Sequence, residues 1–193
     1  AYEILTCDWS SDVCSSDLLI MMQTDVKQSR LTQTGWIVSQ PCRVKGVSLR
    51  SNGSATGRVF LFDTNTAPVT ASYGQSTTTV TVTSTAHGLS TGDTVSIGYV
   101  PDGSQRAATC GTYTITKTGA DTFTITDPNS FTVTSSTACY YVTGTNRWIY
   151  VKGVGAADQY INYELIPGEG LQARQKVYVL VLGGMQSAIV YYG

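Results

Sequence analysis

The chain has 193 residues, 41% of them hydrophobic and only 13% charged, with 12 basic against 13 acidic side chains and a formal net charge of −1. The basic residues after the N-terminal segment stand singly, as Arg43, Lys45, Arg50, Arg58, Arg106, Lys117, Arg147, Lys152, Arg174 and Lys176, which excludes the clustered footprint of a nucleic-acid binder. No run approaches the roughly 18 apolar residues that a membrane helix needs, so neither nucleic acid nor a membrane is expected as a partner.

In chain order, AYEILTCDWSSDVCSSDL (residues 1–18) has neither helical nor strand periodicity. It holds Glu3, Asp8, Asp12 and Asp17, no Lys or Arg, and Ser-Ser-Asp twice. The stretch resembles an in-frame translation of a short-read sequencing adapter, with Leu5 and Thr6 at its index positions. On that reading residues 1–18 are artefactual and are set aside from fold reasoning. The natural start is then Met21, Met22 or a point upstream lost at the end of a metagenomic contig. Removing four acids from 13 leaves nine against 12 bases, a net charge of +3. Residues 18–22 (LLIMM) are too short for a secretory signal and lack a basic leader.

Residues 19–34 read as a polar lead. Strands are then expected from Gly35-Trp36-Ile37-Val38, from Val44 to Leu49 and from Arg58 to Phe62, the last two separated by the turn-forming SNGSATG. Asp63 to Pro68 breaks the pattern, and a Thr-rich module follows. In it Val80 and Val82, then Val95, Ile97 and Tyr99, then Tyr113 and Ile115, then Phe123 and Ile125 alternate with polar residues, which predicts strands with one face buried. Between them His87-Gly88-Leu89, Thr91-Gly92-Asp93 and Thr118-Gly119-Ala120-Asp121 read as turns, where Gly supplies positive φ. Past Gly144 the first texture returns: Trp148 to Val151, Tyr160 to Ile166, the turn Pro167-Gly168-Glu169-Gly170, Lys176 to Leu182, and Ile189 to Tyr192. The longest apolar run, Val177 to Leu182, fits a fully buried strand.

No apolar pattern of period 3.6 persists for three turns, so an all-β chain is expected. Neither flank alone can bury a core, yet together they supply about seven strands. The expectation is a discontinuous antiparallel β-sandwich, jelly-roll-like, from residues 35–69 plus 147–193, with a small β-barrel of residues 70–146 inserted. The ends of the insert must meet, so Val59 to Phe62 should pair antiparallel with Trp148 to Val151.

The barrel segment HGLSTGDTV, followed by GTYTIT and TGADTFTIT, resembles a small β-barrel named after the first catalytic cysteine half-domain of ubiquitin-activating enzymes. The same motif is common in tailed-phage structural proteins. The resemblance covers about 70 residues and implies a fold and a virion context. It does not imply ubiquitin chemistry, which belongs to other domains with a nucleotide site and a thiolate nucleophile. The flanks, GRVFLFDT, IPGEGLQARQKVYVLVL and the terminal AIVYYG, resemble small β-sandwich proteins encoded among phage head and tail genes. No functional residue maps across this second likeness.

Candidate chemistry is sparse. Outside residues 1–18 the cysteines are Cys42, Cys110 and Cys139, an odd count without C-x-x-C spacing, which argues against zinc and against a disulfide scaffold. Cys110 and Cys139 pair if their strands are neighbours; otherwise they are buried thiols. His87, the only histidine, sits in a turn where an imidazole satisfies backbone groups, and any Ser-His or Cys-His mechanism would have to pass through it. Asp93 reads as a turn residue. Glu164 and Glu169, across a Pro-Gly turn, are the one carboxylate pair to weigh for glycoside chemistry, against solvated loop charges. No calcium loop or phosphate loop is present, so no catalytic, cofactor-binding or metal residue is assigned. Tyr140, Tyr141, Tyr150, Tyr160, Tyr163, Tyr178, Tyr191 and Tyr192 crowd the second half, for core packing or for an interface. Strand alternation puts Tyr191 and Tyr192 on opposite faces.

These readings converge on a non-enzymatic phage virion structural protein, a capsid decoration (cement) or tail accessory protein that acts through contacts with other virion subunits and forms a homo-oligomer. The alternative is a carbohydrate-binding, adhesive module for host-surface glycans. A flat exposed Tyr patch on the sandwich favours docking; a grooved one on the barrel favours glycan.

Overall fold

The computed structural model describes residues 26–53, 56–102, 106–144, 149–154 and 162–193. The expected features of residues 1–18, the candidate start residues Met21 and Met22, and Arg147, Trp148 and Tyr160 lie outside them. The described residues are all-β and form sixteen strands: β1 (Lys27–Leu31), β2 (Gly35–Val38), β3 (Cys42–Ser51), β4 (Gly57–Thr64), β5 (Val69–Ser76), β6 (Thr79–Thr83), β7 (Thr94–Tyr99), β8 (Gly111–Thr114), β9 (Thr116–Lys117), β10 (Thr122–Thr126), β11 (Val133–Thr143), β12 (Ile149–Val154), β13 (Asn162–Leu165), β14 (Leu171–Ala173), β15 (Lys176–Gly183) and β16 (Met185–Tyr192).

The strands make three antiparallel sheets. One has the order β1-β16-β3-β13, with β14 also on β3; a second runs β12-β4-β15-β2; the third is β8-β7-β11-β5-β6-β10-β9. In the first two, β13 and β14 pair with successive parts of β3 and count as one broken strand. Numbered by chain order, the first sheet is then strands 1-8-3-6 and the second 5-4-7-2, which is the strand order of a jelly roll. Its fourth and fifth strands, β4 and β12, flank the third sheet in sequence. They pair antiparallel as expected, with Ile149 opposite Phe62 and Lys152 opposite Val59.

The flanks hold more strand than the sequence pattern announces. The expected polar lead contains β1, which pairs with β16 from Lys27↔Tyr192 to Leu31↔Ala188. An edge strand with one face in water needs few apolar residues, and here Leu31 supplies the inward contact. The two jelly-roll sheets close over Val44, Val47 and Leu49 of β3, Val59 and Leu61 of β4, Val177 and Val179 of β15, and Ala188 and Val190 of β16. Asp63 is buried beneath them, its carboxylate accepting from the backbone N–H groups of Arg174 (3.1 Å) and Gln175 (2.9 Å) and so fixing the β14–β15 turn.

The third sheet curls into a nearly closed barrel. Residues 111–117 complete it: β8 pairs with β7, β9 pairs with β10, and buried Ile115 between them exchanges backbone hydrogen bonds with Gly92 and Asp93. Val80, Val82, Val95, Ile97, Tyr99, Ile115, Phe123 and Ile125 all point inward, as their alternation predicts, whereas Tyr113 is only half-buried. Buried Asp127 ties the loop before β8 by accepting from the Thr109 hydroxyl (2.9 Å) and the Asn129 N–H (2.7 Å).

The barrel lies against the second jelly-roll sheet. Phe60 and Phe62 of β4, Leu180 of β15 and Val142 of β11 form a cluster between them, with Tyr140, Ile149, Val151 and Tyr178 around it. β7 comes so close that a Cβ on Gly98 would stand 2.7 Å from Ile149 Cδ1 and 2.9 Å from Phe60 Cδ1. Arg58 Nη1 donates to the Tyr99 carbonyl across the same junction, at 3.3 Å. β4 therefore has apolar side chains buried on both faces, Val59 and Leu61 toward the first sheet, Phe60 and Phe62 toward the barrel.

Candidate docking face

Because the barrel covers the second sheet, the outer face of the first sheet is the broad sheet face of the jelly roll that the described residues leave open. Its composition follows from register. Val47 and Leu49 of β3 and Ala188 and Val190 of β16 point into the core, so their neighbours Gly46, Ser48, Ile189 and Tyr191 point out. Strand pairing aligns them in two rows, Gln28–Tyr191–Gly46–Leu165 and Arg30–Ile189–Ser48–Tyr163. Tyr163 is 53% exposed and Leu165 63% exposed. Large apolar side chains projecting from an open sheet are typical of binding surfaces.

The face has two halves. On the β13 side the Tyr163 ring stands edge-on to Tyr191, centroids 5.4 Å apart, and lies over Gly46, where a Cβ would be 3.3 Å from the Tyr163 hydroxyl. On the β1 side is a hollow of about 150 Å³ lined by Arg30, Ser48, Arg50, Ser187 and Ile189. Arg50 and Ser187 are opposite one another in the next row. No carboxylate belongs to these rows, and neither Arg30 nor Arg50 is in an ion pair among the described residues.

The residues singled out in the sequence are placed elsewhere. His87 shapes a turn: its Nδ1 accepts from the Leu89 N–H at 3.0 Å and its ring meets Phe123 edge-on. Asp93 accepts from the Ser90 N–H at 2.8 Å, the turn contact expected of it. Glu164 and Glu169 do not act on a common point, each facing its own cation. Lys152 Nζ is 2.5 Å from Glu164 Oε2, while Arg43 Nη1 is 3.8 Å from Glu169 Oε2. The Lys152 bond holds the Glu164 carboxyl below its ordinary value. That pair bridges the free edges of the two jelly-roll sheets, since Lys152 is on β12 and Glu164 on β13.

Cys110 and Cys139 are not joined; both are free thiols. Cys110 Sγ accepts from the Tyr99 N–H at 3.3 Å, and Cys139 is the strand partner of Tyr99. Burial pushes both thiols up. Tyr191 and Tyr192 do take opposite faces, but neighbours cover each in part: Tyr163 lies against Tyr191, and the Tyr192 hydroxyl is 3.3 Å from Ser29 Oγ.

The barrel offers a different surface. A groove of about 420 Å³ follows β5 and β6 over Ser72, Gly74, Ser76, Thr81 and Thr83. Its aromatic neighbour Tyr73 is buried, and among the described residues no barrel aromatic is exposed. Exposed rings belong to the jelly roll: Tyr163, and Trp36 at the free edge of the second sheet, where Tyr178 meets it edge-on and Lys176 Nζ stands 5.6 Å from its centroid.

Comparison with models of known protein families, with curated proteins and with solved structures found no match to this chain.

Proposed function

We propose that the protein is a non-enzymatic virion structural protein of a tailed phage, of the decoration or accessory kind. It docks through the open sheet face of its jelly roll onto a neighbouring virion subunit. The observation that carries this reading is the asymmetry of the sandwich. One sheet is sealed by the barrel, while the other presents Tyr163 and Leu165, with half-buried Tyr191 and Ile189 beside them, and among the described residues no other element packs over them. Docked that way, the barrel points outward on the far side. The virion context rests on the resemblance of the barrel motif, and jelly rolls recur in capsid proteins, a fold-level analogy. A protein that binds only the assembled lattice stabilises it by mass action.

Chemical cross-linking of purified particles of a phage that encodes the chain tests this. Lys27 and Lys45, on the first sheet, should link to another virion subunit, and Lys117, on the barrel, should not. Absence of the chain from particles, or links confined to Lys117, would remove the reading.

The second reading, a glycan-binding module, is favoured by one observation, the 40% exposure of Trp36 beside Tyr178. Lys176 over that ring weighs against sugar stacking. Fluorescence quenching by host oligosaccharides that disappears in Trp36→Phe would establish it.

A further inference from the structure

From the hollow on the open face we infer what the partner must bring: a carboxylate side chain that seats between Arg30 and Arg50. The inference rests on the docking reading above. Arg30 and Arg50 lie on β1 and β3, with β16 between them, and their backbones are offset by two residues along the strands. Two inter-strand spacings and two residue rises separate the Cα atoms by about 12 Å. Two arginine side chains can span that separation and meet over a single small anion above Ser48 and Ser187, which line the same hollow.

Charge complementarity selects the occupant. An arginine at an interface is desolvated on docking, so it needs an acceptor from the other side. Among the described residues this face offers no carboxylate of its own. Guanidinium groups match carboxylate geometry with two parallel N–H···O bonds, and each serine hydroxyl adds a donor. A second copy of the same face would bring two more arginines and no carboxylate, which opposes like charges. A nucleic-acid backbone would need a longer basic track, whereas the pair is set among Ile189, Tyr191 and Tyr163, the mixture of aromatic, aliphatic and Arg side chains found at protein interfaces.

The probe is sodium glutarate, a stand-in for a glutamate side chain, titrated into the full-length protein while the arginine Nε–H resonances are followed. The Arg30 and Arg50 signals should move together and saturate, while those of Arg58, bonded to the Tyr99 carbonyl, and of Arg43 stay put. Arg50→Gln should weaken glutarate about ten-fold as read at Arg30, the loss of a charge-assisted pair; both arginines are exposed, so this variant folds. Shifts shared equally by all arginines, no saturation, or tighter binding of inorganic phosphate than of glutarate would overturn the assignment. So would Arg30 and Arg50 signals that depend on protein concentration without probe, which would mean that a second copy covers the face. If glutarate fails while Lys27 and Lys45 cross-link in particles, docking stands without the carboxylate. If glutarate binds but no cross-links form, the hollow is an anion site on a protein that docks some other way.

Discussion

Tyr163 and Tyr191, 28 residues apart in sequence, meet at an interplanar angle of 86° on the outside of the jelly roll, over a glycine. The two substitutions this contact suggests separate stability from docking. Gly46→Ala would place a Cβ 2.9 Å from the Glu164 carbonyl, a backbone atom that cannot swing away. It should cost about 1–3 kcal/mol, as overpacking does, in urea denaturation. Tyr163→Ala removes a half-exposed ring and should cost about 1 kcal/mol or less, yet abolish attachment to particles.

Phe60 is fully buried between the second sheet and the barrel. Phe60→Ala should cost about 3–5 kcal/mol, the usual loss for a buried phenylalanine. Because the lost contacts join two units, the barrel and jelly roll should then unfold at separate urea midpoints, followed by near-ultraviolet circular dichroism. A single unchanged transition would mean that the junction carries little of the stability.

The Lys152–Glu164 bridge gives a pH dependence. Its carboxyl titrates below the ordinary glutamate value because the Lys152 ammonium is bonded to it. The bridge therefore stabilises the fold above that ordinary value, and its contribution is lost as the pH falls through the lowered one. Glu164 is 39% exposed at its side chain, so water screens the pair and the effect is small. The urea midpoint of the wild type should exceed that of Glu164→Gln near neutrality, and the gap should close on acidification.

Burial raises the Cys110 and Cys139 thiols, and only thiolates react readily. Native protein should therefore label slowly at both with a thiol reagent at neutral pH and rapidly once unfolded. Fast native labelling, or a disulfide in the protein as isolated, would contradict the free thiols seen here, buried at Cys139 and partly buried at Cys110.

The barrel core was legible because each of its strands buries one face only: Val80 and Val82, or Phe123 and Ile125, mark the inside by alternation. β5 was not, since its inward positions are Ala71, Tyr73 and Gln75. Gln75 is buried by donating to the carbonyls of Thr77 and Asn129, and no hydrophobic pattern reports that. The continuous run Val177 to Leu182 announced a strand covered on both sides without saying that the cover is the barrel. The docking face was least legible of all. Its rows join β1, β16, β3 and β13, so Arg30, Ser48 and Tyr163 become neighbours only through register, and a single sequence does not carry register between distant strands.

The central claim is that the outer face of the β1-β16-β3-β13 sheet is where this protein meets its neighbour. Hydroxyl-radical footprinting of the free protein and of intact particles tests it most directly. The account predicts that Tyr163, Leu165 and Tyr191 are oxidised in the free protein and shielded in particles, while Tyr113 and Phe131 on the barrel react equally in both. Shielding of the barrel with Tyr163 still reactive would contradict it and place the contact on the opposite side of the molecule.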